Sequence, residues 1–397
     1  MKNQTIYYLG IGAMFLFLSF SSCTESTKRN ICYEVPLMAA TINEGPLLLS
    51  DYTNGSIEYI QLESKNECLL GDNIRLYSND SVIIAITNEQ IFLFNRKTGN
   101  FIREVGRYGK SPKGYNKNTF AFPYDEQRNT FFSKGWEPNS FYEYNFQGQL
   151  IHKIIPQLNN YNITSLVPAN DTLYFGFIWN IDGKQDIKLI SINSNNKIIK
   201  TYPQYQHFNF DRRKNQIDVF NWDGWFYKYN NTINIYEFLS DTIFSLSEQG
   251  NLIPRYVLKN QQLGAPYSVR FNPNFNFKDY YFVNSIFESD NLLFITYLFS
   301  GNEFLGIYNK ENGETYASSE PAGFVNDVDN FFPFRFYSLN KQNEIIGYQH
   351  AYEVIDWFSK QNEKVAKLPT HLQKFKIIKE SDNPVVMIAK LKTGQKP

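Results

Sequence analysis

The sequence predicts an all-β fold, a six-bladed β-propeller of four-stranded antiparallel blades, on three observations. A strand-and-turn unit recurs with a period of about 40 residues, the spacing of propeller blades. Aromatic residues make up 17 % of the chain, with 35 Phe and 28 Tyr, a composition that favours strands. No amphipathic helical pattern of convincing length separates the apolar runs, which sets aside an α/β arrangement.

The N-terminus reads as targeting. Lys2 is followed by an apolar run from Leu9 to Phe20, shorter than the roughly 20 residues a membrane-spanning helix needs. Ser21-Ser22-Cys23 closes the run. This resembles the lipobox of bacterial lipoproteins, with Phe20 where Leu is usual, and implies lipidation at Cys23; cleavage near Ser22 as an ordinary signal peptide is the alternative. The expected organisation is therefore a signal peptide over 1–22, a lipidated Cys and flexible tether over 23–40, and a propeller over 41–397. Diacylation supplies the second acyl chain that stable anchoring needs. Cys32 and Cys68 either pair as a disulfide in an oxidising compartment or remain separate buried thiols.

The repeat is carried by its turns. Asn79-Asp80-Ser81, Asn170-Asp171-Thr172 and Ser289-Asp290-Asn291 each precede an apolar run. The next strand recurs as Ile91 to Asn95, Phe141 to Asn145 and Phe304 to Asn309, followed by Gly99, Gly148 and Gly313. Asn and Asp bond their own backbone in turns, and Gly supplies the positive φ of the hairpin. Asp241 to Leu246, leading to Gly250, is a diverged copy. Blades are expected at 71–106, 118–156, 162–202, 217–259, 280–319 and 331–392; seven are expected only if 30–70 forms a blade of its own. In the last blade, Phe334 to Leu339, Glu344 to Tyr348 and Glu353 to Phe358 read as strands. Pro384 to Lys392, Ile57 to Leu62, or both complete it. Ring closure leaves no exposed sheet edge.

Ser56 to Glu63, Phe94 to Gly109 and Asn383 to Lys392 resemble the six-bladed, NHL-like propeller lipoproteins of Bacteroidetes. That resemblance implies the fold and an envelope location, anchored by lipid to the outer membrane on its periplasmic side or at the cell surface. It implies no activity. The loop after the first blade, usually Gly-x-Gly-Pro-Gly-Glu-Tyr, here reads Gly109-Lys110-Ser111-Pro112-Lys113-Gly114-Tyr115 and lacks the Glu. Asp80-Ser81-Val82, Asp171-Thr172-Leu173 and Asp241-Thr242-Ile243 also match a pattern that Bacteroidetes O-glycosylate, though it coincides with the turn grammar of the repeat.

Charge and motifs narrow the function classes. The chain holds 39 basic and 39 acidic residues, which argues against a nucleic-acid binder acting through bulk charge. The four histidines stand in no metal-binding spacing, and no phosphate loop, nucleophile elbow or HExxH occurs, so no cofactor or metal is expected. Asp327 and Asp329 read as solvated turn residues rather than channel ligands.

Loops on rigid scaffolds carry function. The face bearing blade-to-blade crossings and second-to-third-strand turns collects Arg107, Lys110, Tyr115, Trp136, Trp179, His207, Arg212, Arg213 and His350. A later crossing adds Tyr267 and Arg270. Flat aromatics beside Arg and Asn stack on sugar rings and bond their hydroxyls, or anchor a protein partner. The expected role is a non-enzymatic binding module for a glycan or an envelope protein, touching the membrane through its anchor alone. The alternative is a hydrolase or lyase with carboxylate, His and Arg side chains at the channel mouth.

Overall fold

The computed structural model describes residues 32–117, 123–158, 160–208, 224–247, 250–266, 269, 275–319 and 322–392. Cys23, Arg212, Arg213, Tyr267 and Arg270 lie outside the described residues.

Six blades form the ring. Blade 1 contains Arg75–Ser78, Val82–Ile86, Ile91–Asn95 and Phe101–Glu104. Blade 2 contains Tyr124–Asp125, Thr130–Lys134, Phe141–Asn145 and Leu150–Ile154. Ile163–Pro168 through Ile198–Pro203 make blade 3, Gly224–Tyr229 through Leu252–Leu258 blade 4, and Phe282–Glu288 through Thr315–Ser318 blade 5. The first strand of each blade lies at one edge of its sheet, and the first strands of blades 3, 4, 5, 6 and 1 touch in that order around the axis.

The turns fold as their residues dictate. Asn79 Oδ1 accepts from the backbone N–H of Ser81 and Val82, both at 3.0 Å, and Asn95 Oδ1 does the same for Lys97 and Thr98. Gly99 has φ +73°, and a Cβ there would stand 2.0 Å from the Gln61 carbonyl oxygen. Glycine therefore lets the blade 1 hairpin press against the closing strand, where Glu63 N donates to Gly99 O at 2.9 Å.

Blade 6 closes the ring with both termini. Its order from the axis outward is Ser338–Leu339, Glu344–Gln349, Val385–Leu391 and Thr53–Gln61. Glu58 on the outermost strand pairs with Arg96 of blade 1 at 2.6 Å. Tyr59, Ile60 and Leu62 are buried, each worth about 1.5–3 kcal/mol over an exposed position. The count is thus six and not seven. Residues 33–62 reinforce existing blades: Tyr33–Val35 adds a parallel strand outside blade 4, and helix Leu37–Ile42 packs on blade 5. That docking corrects the expected tether, because Val35, Leu37 and Met38 are wholly buried.

Three further expectations are corrected. Glu353 to Phe358 is part of helix Ala351–Lys360, not a strand. Ala351 and Val354, three residues apart, bury one face, and His350 N donates to the Glu353 carboxylate at 2.9 Å. With Asn362–Lys367 and the 3-10 turns Thr370–Ile377, this helix forms an insert held by buried Leu368, Leu372 and Phe375. Asp327 and Asp329 are neither channel ligands nor idle turn residues. Asp327 receives Ser50 N at 3.0 Å, and Asp329 receives the Tyr59 hydroxyl at 3.0 Å, so both hold the N-terminal segment. The disulfide is not formed. Cys32 is an exposed thiol at the edge of blade 4, whereas Cys68 is buried and donates to Glu63 O beside the blade 6 closure.

Candidate functional site

The loop joining blades 1 and 2 is tightly folded. Tyr115 N donates to Arg107 O at 2.9 Å and Gly109 N to Tyr115 O at 3.0 Å, while Gly114 N reaches Ser111 O at 2.9 Å. A Cβ on Gly114 would lie 2.2 Å from Gly109 O, so the loop closes only around glycine. Tyr115 is not a contact residue. It is 0 % exposed, packed edge-on against Tyr144 at 5.7 Å, and forms the base of the loop.

Trp136 lies over this loop. Its indole Nε1–H donates to Gly109 O at 3.1 Å, which fixes the ring while leaving the residue 38 % exposed. The turn that carries it is closed by Gly135 N to Ser140 O at 2.9 Å and by the Ser140 hydroxyl to Glu137 O at 2.6 Å. Lys110 Nζ stands 5.4 Å from the Trp136 ring centroid. Lys153, on the outer strand of blade 2, places its ammonium 4.4 Å from the centre of the Tyr142 ring and donates to the Tyr142 hydroxyl at 3.3 Å. Tyr142 in turn donates to the Glu137 carboxylate. That bond holds the Glu137 carboxyl below the usual range, while burial, then Glu137, pushes the Tyr142 phenol up to about 12. Lys110, Trp136, Glu137, Tyr142 and Lys153 line, with Ser111 and Pro112, an open surface cavity of ≈ 310 Å³.

Of the residues expected on this face, Lys110 and Trp136 meet in the cavity, and Arg107 is exposed in the same loop. Trp179 is half-buried in the blade 3 turn, and its neighbour Asn180 donates to Gln206 O at 2.8 Å, next to exposed His207. His350 belongs to blade 6, where it stacks on Tyr352 at 5.3 Å and begins the helical insert. Tyr142 and Lys153 were missed by sequence reasoning. They meet only because Lys153 faces Tyr142 across two strands. A second cavity of ≈ 290 Å³ lies between blades 4 and 5, lined by Tyr236, Phe238, Asp241, Asn260 and Tyr281 among others.

The opposite end, formed by first-to-second-strand turns, is bound by ion pairs. Lys228 of blade 4 reaches Asp125 of blade 2 at 2.8 Å, with blade 3 between them in the ring order. Glu126 accepts Lys341 N of blade 6 at 3.0 and 3.2 Å. Burial, only partly offset by that backbone bond, pushes Glu126 up to about 7. Arg128 holds Glu143 at 2.6 Å and Asp171 at 3.1 Å, and His152 Nδ1 lies 2.9 Å from the Tyr174 hydroxyl. A carboxylate, His and Arg cluster of the kind the enzymatic alternative requires is thus present. Glu143 is 1 % exposed, however, and neither cavity described above opens on the cluster. Between blades 4 and 5, Glu288 accepts from Arg255 at 2.5 Å, Lys310 at 2.6 Å and Tyr256 at 2.8 Å. Burial pulls Lys228 and Lys310 below the usual lysine value against the opposing pull of Asp125 and Glu288. Among the described residues no group of three His, Cys, Asp or Glu side chains could hold a metal, and no helix is long and apolar enough to cross a membrane.

The architecture has solved counterparts. A Bacteroides fragilis protein, named a presumptive exported protein, aligns at a TM-score of 0.65 and 15 % identity over 91 % of this chain and 99 % of that one. A member of the DUF4221 family from Bacteroides vulgatus aligns at 0.50 and 10 % identity over 87 % and 99 %. At these identities the likeness speaks to fold alone. No curated protein matches the sequence. The model of a domain of unknown function, DUF4934, matches residues 32–390, spanning all six blades and both closing strands, and the chain belongs to that family.

Proposed function

We propose that this chain is an exported, lipid-anchored propeller that binds a glycan through its crossing face, with the Trp136 cavity as the contact. One observation carries the reading: a braced, solvent-facing indole stands over a cavity whose other lining residues, Pro112 apart, each bear a polar or charged group. Nε1–H is spent on Gly109 O, so the ring face is what remains for a ligand. Aromatic faces pack on the C–H surfaces of sugar rings, while neighbouring polar groups bond the hydroxyls. Cys23 and the apolar run before it support the anchor.

Two experiments test this. The full chain, expressed with its signal, is screened against a panel of soluble glycans beside Trp136→Ala. The reading expects at least one glycan retained by wild type and lost by the variant; retention of an envelope protein alone would replace glycan by protein. Cys23→Ser is expected to abolish fatty-acid labelling and release the protein from membranes, and labelling that persists would remove the anchor.

A second reading, a hydrolase or lyase at the turn end, is favoured by Glu126, whose carboxyl burial pushes up to about 7, next in sequence to Asp125 of the Asp125–Lys228 pair. Turnover of any glycan that disappears in Glu126→Gln and survives in Trp136→Ala would favour it over the first.

A further inference from the structure

We infer that the Trp136 cavity accepts an acidic saccharide, a uronate- or sulfate-bearing sugar whose ring rests on Trp136 and whose anion is held by Lys110 and Lys153. This rests on the glycan reading and names the ligand class for the same site.

The argument is one of donors and charges. The lining contributes two lysines against one carboxylate. That carboxylate is engaged, because Glu137 accepts a hydrogen bond from the Tyr142 hydroxyl. The phenol has a single proton, so its oxygen meets Lys153 as an acceptor. Lys153 thereby spends one of its three donors and keeps two, and Lys110 lies over the Trp136 ring. Among the described residues, neither lysine has a carboxylate within ion-pair distance. Three half-buried lysines elsewhere each meet a carboxylate: Lys188 with Glu237 at 2.6 Å, Lys228 with Asp125 at 2.8 Å, Lys310 with Glu288 at 2.6 Å. In the cavity the two lysines instead lie over two different rings, Lys110 over Trp136 and Lys153 over Tyr142, and both line it. An ammonium over a ring face keeps its charge available to a second partner, and lysine binds sulfate- or carboxylate-type anions as a point charge. Glu137 offsets part of the Lys153 charge, so the lining keeps an excess of positive charge that a neutral sugar leaves unanswered and an acidic one answers.

The test uses the full chain in calorimetric titrations with oligogalacturonate, sulfated dextran, neutral dextran and a mononucleotide, at low and high salt (about 0.02 and 0.5 M). Either acidic saccharide is expected to bind at least ~10-fold tighter than neutral dextran at low salt, with the preference collapsing at high salt. The double substitution Lys110→Met, Lys153→Met is expected to erase the preference while leaving weak neutral binding. Trp136→Ala loses both, and Trp136→Phe recovers part, with unchanged thermal midpoints certifying the fold. Equal affinity for neutral and acidic sugars overturns the inference and leaves the glycan reading standing. An acidic preference undiminished by the double substitution places the anion elsewhere and also overturns it. Tighter binding of the mononucleotide replaces the sugar class, and binding of none of the four overturns both readings.

Discussion

The turn end of this propeller and the Trp136 cavity use the same side chains to opposite effect. At the turn end, Lys228, Lys310, Arg128 and Arg255 each close on a carboxylate from another strand or blade, and Tyr227 and Tyr256 add their hydroxyls to Glu288. At the crossing end, Lys110 and Lys153 lie on aromatic rings and leave their charge facing a cavity. Pairing, not residue type, separates a buried strut from a surface able to bind. Charges removed from water need partners already in place, whereas a half-exposed lysine can wait for a ligand.

The largest expected effect tests the struts. Glu288→Ala leaves Arg255 and Lys310 without their shared carboxylate, and should cost about 3–5 kcal/mol, read as a thermal midpoint lowered by several degrees. A loss below about 1 kcal/mol would show that the turn end is not held as described. Trp136→Ala should reverse the pattern, weakening glycan binding by about 30-fold or more (about 2 kcal/mol) while the midpoint stays in place. If it destabilised the fold as Glu288→Ala does, the two regions would not differ in kind.

Glu126 sharpens the contrast through pH. Its folded pKa is raised to about 7 from an ordinary 4.5, so the folded protein holds this proton more tightly than the unfolded chain. The resulting stability is fully present below pH 4.5 and is lost as pH rises through 7. Discounted for its partial exposure, the effect is at most about 2 kcal/mol. Urea titrations from pH 5 to 8 should show stability falling for wild type relative to Glu126→Gln. Parallel profiles would contradict the burial of this carboxyl. The smallest effect belongs to Lys153→Met, which breaks no ion pair and should shift stability by no more than about 0.5 kcal/mol by the same titration.

Much of the fold is legible because blade grammar is local. Asn79, Asn95 and Asn309 bond backbone two or three residues ahead, so each turn declares itself within a few residues. Blades 1, 3 and 5 therefore lie within a few residues of their expected ends, and both candidate closing segments are strands, while the first described strands of blades 2 and 4 begin later than expected, at Tyr124 and Gly224. The insert was misread because Val354, Ile355, Trp357 and Phe358 suit a strand as well as one face of a helix. What decided it was the capping contact at Glu353 and the core beneath Val354. The site was half legible. Its loop departs visibly from the resembled pattern, and Trp136 was on the expected face. Tyr142 and Lys153 carried no signal, since their meeting depends on strand register.

By itself, then, the sequence determined the period of the repeat, the turns that punctuate it and the ends that close it. All of these rest on interactions spanning a few residues or on hydrophobic order along one strand. Only the tertiary structure decided which polar and aromatic groups are spent and which are free. Tyr115 and Trp136 look alike as loop aromatics, yet one is wholly buried against Tyr144 and the other faces solvent. Asp125 finds its lysine 103 residues away. Burial and pairing are properties of neighbours that the ring brings together from distant parts of the chain, and no local pattern encodes them.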